Sequence, residues 1–71
     1  MSGHSTAGDR WGLTPAEEDV LRLIADNCTD REIAAIRVVS INTAKTQVRH
    51  ILGKLEVRHR QDAARLYRKS L

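Results

Sequence analysis

The stretch from Thr29 to Val57 constrains the fold most, because it spells two helices whose junction leaves only a few residues for a turn. Thr29-Asp30-Arg31-Glu32 is a capping box: the threonine oxygen can accept from the third helical amide while the glutamate reaches back to the threonine amide. Ile33 and Ala34 follow as apolar positions, with Ala34 small where two crossing helices would come closest. Val38-Val39-Ser40 then breaks the pattern, and Ser40 can cap a further helix. In that next segment Ile41, Ala44, Val48, Ile51, Leu52 and Leu55 recur at spacings of three and four, which predicts a helix over about 41–55 with one buried face.

The flanks supply two more helices. Thr14-Pro15-Ala16-Glu17 is a second capping box with proline at the first helical position. Ala16, Val20, Leu23 and Ile24 form a stripe that Leu21 broadens, predicting a helix over about 15–26. Asn27 can end it in the left-handed conformation. A last helix over about 61–70 places Ala63, Leu66 and Tyr67 on one side. Residues 1–10, rich in Gly, Ser and Thr without apolar periodicity, are expected to be a disordered tail, and 11–71 one domain with Trp11 as a lid on its core. The expected fold class is all-α, a four-helix bundle containing a helix-turn-helix. Seventy-one residues make one small domain at most.

Composition removes several classes of function. The single cysteine, Cys28, forms no internal disulfide and makes no zinc site with three scattered histidines, so neither metal nor cofactor is expected. Cys28 reads as a small half-buried residue between helices. No apolar run reaches the length of a membrane span and no signal-peptide core stands near the N-terminus, so a soluble, cytoplasmic chain with no membrane partner is expected. No acid pair stands beside a histidine at helical spacing and no glycine-rich phosphate cradle is present, so an enzyme is not expected.

Charge is segregated. Residues 1–36 hold three arginines against seven acids, a balance of −4, and residues 37–71 hold nine basic residues against two acids, a balance of +7. A basic half on so small a domain suits a polyanion. On the 41–55 helix, Asn42, Lys45, Thr46 and Arg49 form one polar stripe beside the apolar face, and Thr43, Gln47, His50 and Lys54 form another. Asn and Gln can pair bidentately with adenine, Arg and Lys with guanine, and Thr can meet a thymine methyl group or a phosphate. Arg31, Thr43, Gln47, Lys54, Arg58 and Arg60 sit where helix starts and flanks would meet phosphate oxygens, and His50, on the presented helix, is expected to meet a phosphate as well. The capped N-terminus of the same helix offers free amides and a positive dipole end.

From Leu13 to about Leu66 the order of elements resembles the LuxR/GerE family of bacterial transcription regulators. Leu13-Thr14-Pro15-Ala16-Glu17 resembles the family's opening and Glu32-Ile33-Ala34 its scaffold helix. Ser40-Ile41-Asn42-Thr43-Ala44-Lys45-Thr46-Gln47-Val48 resembles its recognition helix and Lys54-Leu55-Glu56-Val57-Arg58 its exit. The resemblance implies a four-helix domain that binds double-stranded DNA, commonly as a dimer on two half-sites, as the output end of a larger sensor or response regulator. By position it implies base contacts from Lys45, Thr46 and Arg49, with Asn42 sometimes joining them, and backbone contacts from Thr43 and Lys54. Several residues depart from the family pattern. Asn27 and Glu56 stand where glycine is common, Ala44 replaces a usual valine, and Arg37 takes a leucine position beside an apolar Ile36. Either Arg37 keeps the leucine's orientation or a small helix rotation buries Ile36 instead. Gly53 inside the third helix costs roughly 1 kcal/mol relative to alanine.

The function expected from sequence is therefore specific binding of double-stranded DNA, with the 41–55 helix in the major groove. A weak homodimer through Leu66 and Tyr67, stronger on DNA, is expected with it, and RNA polymerase is a candidate protein partner. The alternative is a helix-turn-helix scaffold acting mainly as a protein-interaction module. A sigma-factor DNA-binding region has a similar helix-turn-helix but matches the string of signatures less well.

Overall fold

Four helices appear in the computed structural model, which describes residues 11–70: α1 (Pro15–Ala25), α2 (Asp30–Arg37), α3 (Ile41–Leu55) and α4 (Arg60–Lys69). The expected tail over 1–10, and the last residue of the expected domain, lie outside the described residues. The starts follow the capping chemistry. Thr14 Oγ1 accepts from the Glu17 amide at 3.1 Å while Glu17 Oε1 accepts from the Thr14 amide at 2.9 Å. Thr29 and Glu32 repeat the exchange at 3.1 and 2.8 Å. Ser40 Oγ accepts from the Thr43 amide at 3.0 Å. Each such cap contributes about 1 kcal/mol. Only α4 opens without one, since His59 makes no side-chain capping bond; Asp62 in its first turn complements the dipole instead.

The ends share a device that the sequence shows only in part. Asn27, Val38 and Glu56 all take positive φ, at 64°, 58° and 59°. Each sits one residue before an apolar side chain whose amide closes back on the helix: Cys28 onto the Leu23 carbonyl at 3.0 Å, Val39 onto Ala34 at 2.9 Å and Val57 onto Leu52 at 3.0 Å. These are Schellman closures, in which the following residue packs on the helix it has just left. Cys28, Val39 and Val57 are indeed half-buried against the core. Asn27 is the left-handed terminator that its propensity predicts, but a β-branched valine in the same role is not. A branched Cβ crowds its own backbone in the left-handed region, which costs of order 1–3 kcal/mol. Val38 is 88% exposed, so its side chain recovers little by packing. Val38→Asn is therefore expected to raise stability by about 1 kcal/mol in urea unfolding; an unchanged midpoint would mean that the strain is absorbed elsewhere.

Packing follows the stripes. α1 packs most extensively against α4, α2 packs against α3 as a helix-turn-helix, and α3 also rests on α1 and α4. Val20, Leu21, Ile33 and Ile51 are the largest side chains wholly removed from solvent. Ala34 is buried, and Trp11 is half-buried against the core. Two members of the expected stripes are corrections: Ala16 is exposed and Ile41 remains 40% exposed. Both lie in the first turn of their helices. Side chains lean toward the helix N-terminus, so apolar residues there reach past the packed region. Periodicity overcounts the core at such positions.

Arg37 rather than Ile36 is the residue turned toward the bundle. It is half-buried and donates from a guanidinium nitrogen to Asp19 Oδ2 at 3.1 Å, while Ile36 is 57% exposed. The alternative rotation, with Ile36 inside, is not taken. The α1–α4 side is tied by two more arginines. Arg60 donates to Asp30 Oδ1 and to the Cys28 carbonyl, both at 2.7 Å, and Arg68 donates to the Ala25 carbonyl at 2.6 Å. These bonds satisfy carbonyls at and beyond the end of α1, where helical partners run out.

Candidate nucleic-acid interface

The polar side of α3 is the surface that these contacts position. Ala44, Val48, Ile51 and Leu55 hold the helix down, and at 100° per residue the opposite side carries Asn42, Thr46, Arg49 and His50. Asn42, Thr43, Lys45, Thr46, Arg49 and His50 are all exposed. The four residues expected to meet bases, Asn42, Lys45, Thr46 and Arg49, therefore share one exposed ridge. Within it the Thr46 hydroxyl donates to the Asn42 carbonyl at 3.0 Å, which commits its proton and leaves its lone pairs and methyl group for a ligand. Ser40 Oγ donates to Thr43 Oγ1 at 2.9 Å, so Thr43 keeps its own hydroxyl proton for a phosphate oxygen.

The residues expected at phosphates divide into two sets. Arg31 and Arg58 are exposed, and like Lys45 and Arg49 they have no ion-pair partner among the described residues. Lys54 and Arg60 are engaged internally. Lys54 Nζ donates to Glu17 Oε1 at 2.7 Å and to the Gly12 carbonyl at 3.2 Å. The hydrogen bond from Lys54, followed by that from the Thr14 amide, holds the Glu17 carboxyl below the usual carboxylate range. Arg60 spends its guanidinium on Asp30 and Cys28. Gln47 is half-buried, and its amide oxygen is buried without a hydrogen-bond partner. It stands at the border between core and surface rather than on the open ridge.

Sequence reasoning misses the role of Glu17. Its place in the capping box explains it locally, and nothing in the chain order marks a partner 37 residues away. The exposure of Ile41 at the head of the ridge is missed as well, because an apolar residue in a first turn reaches past the packed region. On α4, Leu66 and Tyr67 are half-buried on the core. Leu66 lines, with Val57, Asp62, Arg65 and Lys69, a shallow groove of about 270 Å³. No helix among the described residues is long and apolar enough to cross a membrane.

The sequence itself matches a known family. Residues 12–67 fit the family described as bacterial regulatory proteins, luxR family. The chain is 48% identical over 54 residues to the uncharacterized transcriptional regulatory protein YhcZ of Bacillus subtilis, a match covering 76% of this chain and 25% of that protein. It is 45% identical over 51 residues to the response regulator protein VraR of Staphylococcus aureus, covering 72% of this chain and 24% of the relative. VraR of Staphylococcus epidermidis matches to the same extent. The chain thus spans about a quarter of the length of the curated relatives it matches.

Proposed function

The chain belongs to the luxR family of bacterial regulatory proteins, and we propose that it binds double-stranded DNA sequence-specifically, as the output domain of a cytoplasmic transcription regulator. In this reading α3 lies in the major groove. The observation that carries it is the ridge of Asn42, Lys45, Thr46 and Arg49, exposed together on a capped helix, with neither cation paired to an acid among the described residues. A helix that buries one face and leaves amide and cationic groups uncommitted on the other offers the donors that base edges accept. Arg31 and Arg58, with the Thr43 hydroxyl and His50, are the groups available for phosphate oxygens. Lys54 can add one remaining N–H, and Gln47 and Arg60 contribute less because the fold already holds them.

Self-association is part of the proposal. Leu66 and Tyr67 leave half-buried apolar surface on α4, and a pair of domains joined there would meet two half-sites about one helical turn apart. A second reading, docking to a protein such as RNA polymerase, draws on the exposed apolar side chains Ile36, Val38 and Ile41. Site selection from a random duplex pool separates the two. Enrichment of one motif is expected, and a pool left without enrichment would remove the sequence-specific reading. Arg49→Ala then tests the ridge itself. A bidentate contact to guanine contributes roughly 1–3 kcal/mol of discrimination, so the ratio of specific to random affinity should fall by about 5- to 150-fold at one fixed salt concentration. An unchanged ratio would assign Arg49 to the backbone and move base reading to Lys45, Thr46 or Asn42.

A further inference from the structure

We propose that Ile41 is a specificity-determining residue that reads the C5-methyl group of a thymine, a role that rests on the DNA-binding reading above. Ile41 is the first residue of α3, directly after the Ser40 cap, and it is 40% exposed. It precedes Lys45 by four residues and Arg49 by eight, so the three form one inclined ridge with steps of about 6 Å along the helix. From Arg49 to Ile41 that ridge is about 12 Å long, enough to face three to four base pairs at roughly 3.4 Å each.

Recognition helices meet base edges with their N-terminal residues, which puts Ile41 at the leading end of the ridge. A branched hydrocarbon there has no hydrogen bond to offer. Among the groups that base pairs present in the major groove, only the thymine methyl is apolar. Exposed isoleucine in front of two cations therefore distinguishes thymine from the other bases by packing, beside the hydrogen bonds made by Lys45 and Arg49. The neighbouring Asn42 supplies a polar head on the other flank, and Ile36 and Val38, the other exposed large apolar side chains, precede α3, so on the α3 ridge the apolar contact is confined to one position. The occupant is thus a methyl-bearing pyrimidine rather than a protein surface.

The test uses the whole chain and its selected duplex, with each thymine replaced in turn by deoxyuridine, which removes the methyl group and leaves the pairing edge intact. One position is expected to lose about fourfold in affinity, the value of one buried carbon. Ile41→Ala should abolish that loss at that position alone while circular dichroism reports an unchanged fold, and Ile41→Val should retain most of it. The proposal is overturned if no thymine is selected at the edge of the site, or if the loss survives in Ile41→Ala. Absence of sequence-selective binding by the unmodified chain would overturn the DNA reading and this proposal with it. A flat deoxyuridine scan on a well-selected site would overturn this proposal alone.

Discussion

Leu21→Ala will leave much of the protein unfolded at 25 °C. Leu21 is wholly removed from solvent, in the helix that packs along α4 and also contacts α3. Truncating a buried leucine costs about 2–5 kcal/mol, the transfer energy of the removed atoms plus the energy of the cavity left behind. A domain of this size holds only about 3–10 kcal/mol in total. No disulfide closes the chain, whose single cysteine is a free thiol, so no cross-link offsets the loss. Urea unfolding followed by circular dichroism should show a midpoint far below that of the unmodified chain, with an incomplete folded baseline. Ala16→Ser is the matched control on the same helix, because Ala16 is exposed, and its effect should stay within about 0.5 kcal/mol. A Leu21→Ala midpoint close to that of the control would mean that the α1–α4 contact is not where the stability resides.

Leu21 also illustrates how far the fold is legible in the sequence. The three-and-four spacing identifies α1, but it ranks Leu21 as a broadening of the stripe, whereas α1 is covered from two sides and Leu21 is as deeply buried as Val20. A one-dimensional stripe cannot show how many neighbours a helix has. Helix starts are legible because capping is a local exchange between residues three apart. Helix ends are legible only at Asn27. At Val38 the terminating residue has the wrong propensity, and what selects the left-handed turn is the next residue, Val39, packing back on the core. The third helix shows its polar ridge directly, since angular position follows from spacing alone. Which of its cations are free does not follow. Lys54 and Arg37 find Glu17 and Asp19 across the bundle, in pairings set by helix crossing rather than by order in the chain.

That division of the cations shapes the response to salt. If a bound pair of domains neutralises roughly five to eight phosphates, each contributes about 0.9 to the slope of log affinity against log salt, and affinity should fall by about two orders of magnitude or more from 50 to 200 mM. The cations do not contribute alike. Arg31 and Arg58, exposed and unpaired among the described residues, can each displace a counterion at no internal cost. An alanine at either should weaken all sequences equally and make the slope shallower by about one for each phosphate no longer neutralised. Lys54 has two of its three N–H groups on Glu17 and the Gly12 carbonyl. Its charge is offset before DNA arrives, so Lys54→Ala should flatten the slope less than Arg58→Ala does. The removal of Lys54 also leaves the Glu17 carboxylate uncompensated near the same surface, so affinity should still drop on every sequence. Fluorescence anisotropy with one duplex at four salt concentrations resolves these slopes. An affinity flat in salt would remove the DNA-binding reading, and equal flattening by Lys54→Ala and Arg58→Ala would show that the Glu17 pair opens freely when phosphate approaches.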